Sequence, residues 1–75
     1  MQTTRRFTCV LERENDGFVS LCPELDIASQ GDTIEEARAN LIEAVELFFE
    51  SADSSEVSDR LRGEVYVTPI EVRVA

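Results

Sequence analysis

Histidine is absent from the 75 residues, and so is lysine; there are two cysteines, two prolines and three glycines. Without histidine there is no Cys–His or Ser–His pair, no histidine general base and no zinc-like ligand set. The glycines, Gly17, Gly31 and Gly63, stand alone, so neither a phosphate-cradling P-loop nor a dinucleotide-binding glycine motif is present. No apolar run is long enough to span a bilayer, and the N-terminus lacks the apolar core of a signal peptide. These features lead us to expect a cytoplasmic chain without a membrane segment, with Cys9 and Cys22 reduced. A two-residue loop at Asn15-Asp16 would place Cys9 across from Cys22; a loop at Asp16-Gly17 would offset them.

Positive charge is also scarce. Seven arginines face sixteen acids, for a net charge of −9. Phosphate binding needs a basic face, so nucleic acid is not expected as a direct ligand. A basic protein partner fits, and its encounter would be steered by this charge. Solubility alone is the plainer use of an acidic surface. A chain this short forms one domain with a small core, so it calls for a staple, a metal or a partner chain.

What is present is a run of short elements. Met1 to Arg5 is polar and reads as frayed. From Arg6 to Arg13, Phe7, Cys9 and Leu11 alternate with Thr8, Val10 and Glu12, the pattern of a strand with one apolar face. Glu14-Asn15-Asp16-Gly17 is a turn, and Phe18 to Cys22 is the second strand of a hairpin. This second strand is apolar on both faces, with Val19 and Leu21 opposite Phe18 and Cys22. A strand reads so when both faces are covered. One helix covers one face, so Val19 and Leu21 become candidates for an interface with another chain. Pro23 ends the strand. Ile27 to Gln30 is a third strand, and Gly31-Asp32 turns the chain.

Thr33 is the expected helix N-cap, with Glu36 three residues on. Together they make a capping box in which each side chain satisfies the other's backbone N–H. The helix is expected to reach about Ser51. Ile34, Ala37, Leu41, Ala44, Val45 and Phe48 share one arc, which Ile42 and Phe49 widen. Glu36, Glu43, Glu46 and Glu50 make an acidic stripe, with Leu47 on the same side. Glu46 and Glu50 crowd the negative end of the helix dipole, where no lysine or arginine compensates. Glu43, Glu46, Leu47 and Glu50 are therefore candidate interface residues, although a solvated acidic face is the commoner reason for such a stripe. Residues 52–63 are a polar linker or a short second helix over Ser54 to Leu61. Glu64 to Val74 reads as a last strand whose alternation changes phase at Thr68-Pro69. The expected fold is α+β, in the order β-β-β-α-β, an antiparallel hairpin plus further strands with one main helix on one face.

Asp16, Glu24, Asp26 and Asp32 are the remaining candidates for chemistry, as a carboxylate metal cluster. All four sit in turns, where acids are common for backbone reasons. No cofactor, metal or catalytic residue is assigned.

Three blocks carry a family resemblance: Asp16-Gly17-Phe18-Val19 with Cys22-Pro23-Glu24-Leu25; Gln30-Gly31-Asp32-Thr33 with Glu35-Glu36-Ala37; and Asn40-Leu41 with Glu43-Ala44-Val45-Glu46-Leu47. In sequence and spacing, over about residues 6 to 50, they strongly resemble the HicB family of antitoxins. The resemblance implies a partial RNase H-like fold. It also implies a non-catalytic role: binding a small basic HicA-like toxin, which cleaves mRNA, and covering its active site. The chain departs from the family where many members read Pro-Asp-Leu-Pro-Gly-Cys and this one reads Pro23-Glu24-Leu25-Asp26-Ile27-Ala28. Many members also continue into a DNA-binding domain; here the sequence stops at Ala75, so a short member without one is expected. Within the resemblance, Gly17, Gly31, Thr33 and Glu36 are turn and capping residues. The expected partners are a HicA-like toxin and further copies of the chain, as a dimer or tetramer. A stand-alone homo-oligomeric scaffold or regulator is the second reading, and a degenerate RNase H-like nuclease the third.

Overall fold

A computed structural model describes residues 4–75. The stretch 1–3, expected to fray, lies outside them. Three strands, β1 (Val10–Glu14), β2 (Gly17–Cys22) and β3 (Ile27–Gly31), precede two helices, α1 (Ile34–Ser51) and α2 (Ser54–Arg62). The sheet is antiparallel in the order β1-β2-β3. The architecture is α+β, with α1 laid on one face of the sheet, over β3 and β2 more than β1.

The hairpin turns at Asn15-Asp16, with Asn15 in the left-handed region at φ 56°. Val10 pairs with Leu21 and Glu14 with Gly17, the register that carries Cys9 towards Cys22; both thiols are free. β1 starts later than the alternation from Arg6 suggests. Two residues before it, Thr8 would face Pro23, which has no N–H to give to the ladder. Glu24 takes over there: its carboxylate accepts from the Thr8 N–H at 3.0 and 3.1 Å and from the Thr8 hydroxyl at 2.6 Å.

Helix α1 begins as its capping residues require. The Thr33 hydroxyl accepts from the Glu36 N–H at 3.0 Å. The return bond differs from a reciprocal box, because Glu36 Oε1 accepts from the Asp32 N–H at 3.3 Å. Ala37 and Leu41 are buried, whereas Ile34 and Ile42, expected in the apolar arc, are 45% and 44% exposed. Ile34 sits in the first turn and Ile42 on the flank above β1, where the three strands give out.

The core gathers Cys22, Leu25 and Leu41, with Phe7, Cys9, Ile27, Val45, Phe48, Phe49 and Leu61 packed around them. Ser20 is buried beneath α1 and donates its hydroxyl hydrogen to the Ala37 carbonyl at 2.7 Å. Among the described residues no buried side-chain polar atom lacks a partner.

The polar stretch after α1 is helical. Asp53 caps α2 by accepting from the Glu56 N–H at 2.8 Å. Arg60 ties α2 down: its guanidinium donates to the Leu25 carbonyl and lies 5.4 Å from the centre of the Phe48 ring.

Residues 64–75 correct one expectation. The strand read over Glu64 to Val74 joins no sheet, and every residue from 64 to 75 is exposed. Its alternation marks a strand, but a strand needs a neighbour to satisfy its backbone, and none is supplied among the described residues.

Candidate interaction surface

The sheet has a covered face and an open one. Ser20 and Cys22 point to α1, so alternation sends Val10, Val19 and Leu21 to the far side. Val19 and Leu21 are half-buried by their sheet neighbours, and neither belongs to the core cluster.

The acidic side of α1 faces away from the sheet. Glu36, Glu43, Glu46 and Glu50 are all exposed, and the last turn of α1 holds no basic residue. The only ion pair among the described residues is Arg62–Asp59, so no base lies within ion-pair distance of the stripe. Leu47, 59% exposed, edges towards the sheet: with Ala44, Phe48 and Ile27 it borders a shallow groove that Arg60 closes. The six candidate interface residues thus do not form one surface. Val19 and Leu21 lie on the open sheet face, Glu43, Glu46 and Glu50 on the outer side of α1, and Leu47 on the flank of α1 beside Ile27 and Arg60. The helix sets this division, since its apolar arc must meet the sheet.

The four turn acids do not converge. Asp16 and Asp32 line a shallow cleft at the hairpin tip with Glu14 and Glu36, while Glu24 is bound to Thr8 at the other end of the sheet. No group of three or more possible metal ligands comes together among the described residues. Nor is any helix there long and apolar enough to cross a membrane.

Gly17 and Gly31 serve close approach. Neither has positive φ. A Cβ on Gly31 would come within 2.5 Å of the Ala37 nitrogen, and one on Gly17 within 2.8 Å of the Gly31 oxygen. They stand beside the turns expected of them, and they let β2, β3 and the start of α1 meet at one corner.

Sequence reasoning gave Leu25 no place in the core and considered Glu24 only as a possible metal ligand. Leu25 is fully buried although it lies in the turn before β3, where no periodicity marks it. Burial works against ionisation of Glu24, but the bonds from Thr8 outweigh it and hold the carboxyl below its ordinary value. Burial also pushes the Cys22 thiol up, with the Glu24 carboxylate beside it adding to the effect. The Cys22-Pro23-Glu24-Leu25 block is therefore a structural knot.

Over 47 residues the chain is 51% identical to a UPF0150 protein of Synechocystis sp., a match covering 60% of this chain and 60% of the relative's length. Over 67 residues it is 31% identical to a UPF0150 protein of Helicobacter pylori, covering 88% of this chain and 93% of that one. No protein-family model matches the chain, and no solved structure does. On the strength of the match that runs along almost the whole of both chains, this protein belongs to the UPF0150 family.

Proposed function

We propose that this protein is a HicB-like antitoxin, a non-catalytic cytoplasmic protein that binds a small basic mRNA-cleaving toxin of the HicA kind and covers its active site. The observation that carries the reading is the unpaired acidic stripe on α1. Glu43, Glu46 and Glu50 stand exposed with no basic side chain within ion-pair distance among the described residues. Two of them lie at the negative end of a helix dipole, an arrangement that a cationic surface would relieve. The net charge of −9 adds long-range attraction for such a partner. The resemblance of the three sequence blocks to HicB antitoxins gives the partner its identity.

A second reading, a stand-alone homo-oligomeric module, is favoured by one observation: the apolar strand-like segment 64–75 has no neighbouring strand among the described residues of its own chain. The two readings are separated by the adjacent reading frame. A small basic product that arrests growth when expressed alone, and is relieved by co-expression of this chain, supports the antitoxin. Absence of such a frame, or arrest that persists on co-expression, rejects it.

A further inference from the structure

The three-stranded sheet has two edges, and they differ. In an antiparallel ladder, alternate residues turn their N–H and C=O to the partner strand or away from it. The two-residue turn makes Glu14 and Gly17 a bonded pair, so Glu14, Glu12 and Val10 face β2. Leu11 and Arg13, with Cys9 before them, turn their backbone groups outward. The same counting along β2 and β3 leaves Ala28 and Gln30 facing out on the far edge. There the Gln30 carbonyl is already taken, accepting from Asn40 Nδ2 at 2.8 Å. No side chain of the described residues caps the outward groups of β1. An uncapped edge of this kind is a template for another strand.

The space beside β1 is also partly roofed. Ile42 and Phe49, two helical turns apart, share the flank of α1 on the β1 side. Phe49 finds the Phe7 ring at 5.7 Å between centroids, but Ile42 is left 44% exposed. The apolar arc of α1 is wide enough for a fourth strand that the sheet does not contain.

The chain carries such a strand. After Pro69, Ile70, Val72 and Val74 alternate with Glu71 and Arg73 over five residues, the length of β1. The three apolar residues are 79%, 71% and 85% exposed. An apolar row of this extent on a small monomer marks an interface. The segment runs outward: the molecule is 51 Å long, with a radius of gyration of 14.6 Å. A compact chain of this length would have about 11 Å. Each copy thus bears one vacant edge and one unpaired strand, two complementary surfaces that a two-fold axis satisfies together.

We propose that Ile70–Val74 is an exchanged strand, adding to the free edge of β1 in a second copy of the chain, with the reciprocal strand returned. Ile70, Val72 and Val74 then lie beside Leu11, under the Ile42 flank of the partner's helix. Val65 and Val67 lie in the arm that crosses between the subunits. Pro69, without an N–H, stands where a strand tolerates it, just before the first bonded residue. The exchange does not depend on the toxin reading.

Light scattering and isotope-filtered NMR on the full chain test it. The scattering mass is expected at twice the 8.4 kDa of one chain. A mixture of differently labelled chains is expected to show contacts between residues 70–74 of one and residues 9–13 of the other. Val72→Asp is expected to halve the mass while leaving the helical circular dichroism intact. A monomeric full chain overturns the proposal, as do contacts from 70–74 to β1 found only within one chain, or a dimer in which 70–74 contacts nothing. The labelled-chain measurement uses the unaltered protein, so it decides the matter even if Val72→Asp does not fold.

Discussion

Glu24 and Thr8, sixteen residues apart, are joined at both the backbone and the side chain of the threonine, with the shortest contact 2.6 Å from hydroxyl to carboxylate. The bond fastens the segment before β1 to the turn after β2, where Pro23 prevents the ladder from continuing. Glu24→Ala leaves the Thr8 donors without their acceptor and is expected to cost about 1–3 kcal/mol in chemical denaturation.

The same contact sets a pH dependence. The Glu24 carboxyl is held below its ordinary value in the folded chain, so its contribution is fully present above the unfolded carboxyl range. It is lost as pH falls through the depressed folded value. Stability should therefore decline below about pH 4.5, the ordinary value for this carboxyl. Asp53, lowered by its cap to the Glu56 N–H, adds a decline of the same sign. In Glu24→Gln the acid loss should be shallower but still present, as read from urea midpoints across an acid series.

Gly31 and Gly63 make an internal comparison. A Cβ on Gly31 collides with the Ala37 nitrogen and the Glu36 backbone, whereas one on Gly63 meets nothing within 4 Å. Gly31→Ala is expected to destabilise by about 1–3 kcal/mol, as overpacking does. Gly63, at φ −72°, already has a backbone that alanine adopts. Gly63→Ala should be neutral or mildly stabilising in thermal melts, since it restricts the unfolded chain.

Arg60 is the tether of α2. Removing it by Arg60→Ala takes away both the bond to the Leu25 carbonyl and the contact with the Phe48 ring. Amide exchange should accelerate over 57–62 while 37–48 in α1 keep their protection. Equal acceleration in both helices would mean that α2 is not separately fastened.

The acidic stripe separates folding from binding. Glu46→Lys with Glu50→Lys places cations at the negative end of α1, where each is favourable by about 0.3–1 kcal/mol. The double variant should melt no lower than the parent. Its affinity for a basic partner should fall, and the remaining affinity should depend less on salt.

Local signals were legible in the sequence and non-local ones were not. Thr33 and the extent of α1 could be read because a cap and an apolar period lie within a few residues of each other. The sheet order followed from two short turns. Leu25 escaped because a turn residue is buried by what folds over it, here α1 and α2, and not by its neighbours in sequence. The turns at Gly17 and Gly31 were legible, but the close approach was not: at Gly31 it involves Ala37, six residues on. The candidate interface was read as one set because alternation and helical period place residues on faces without saying which faces meet. The alternation over 64–74 was legible, but it marks no strand of the sheet, because no partner for it lies among the described residues.

The most direct test of the antitoxin reading is a titration of RNA cleavage. The account predicts a small basic protein encoded beside this chain, and that product would be assayed on an RNA substrate while this protein is added. The expected result is complete loss of cleavage at a fixed stoichiometric ratio, weakened in Glu46→Lys/Glu50→Lys. Cleavage undiminished at a large excess of this protein would contradict the account.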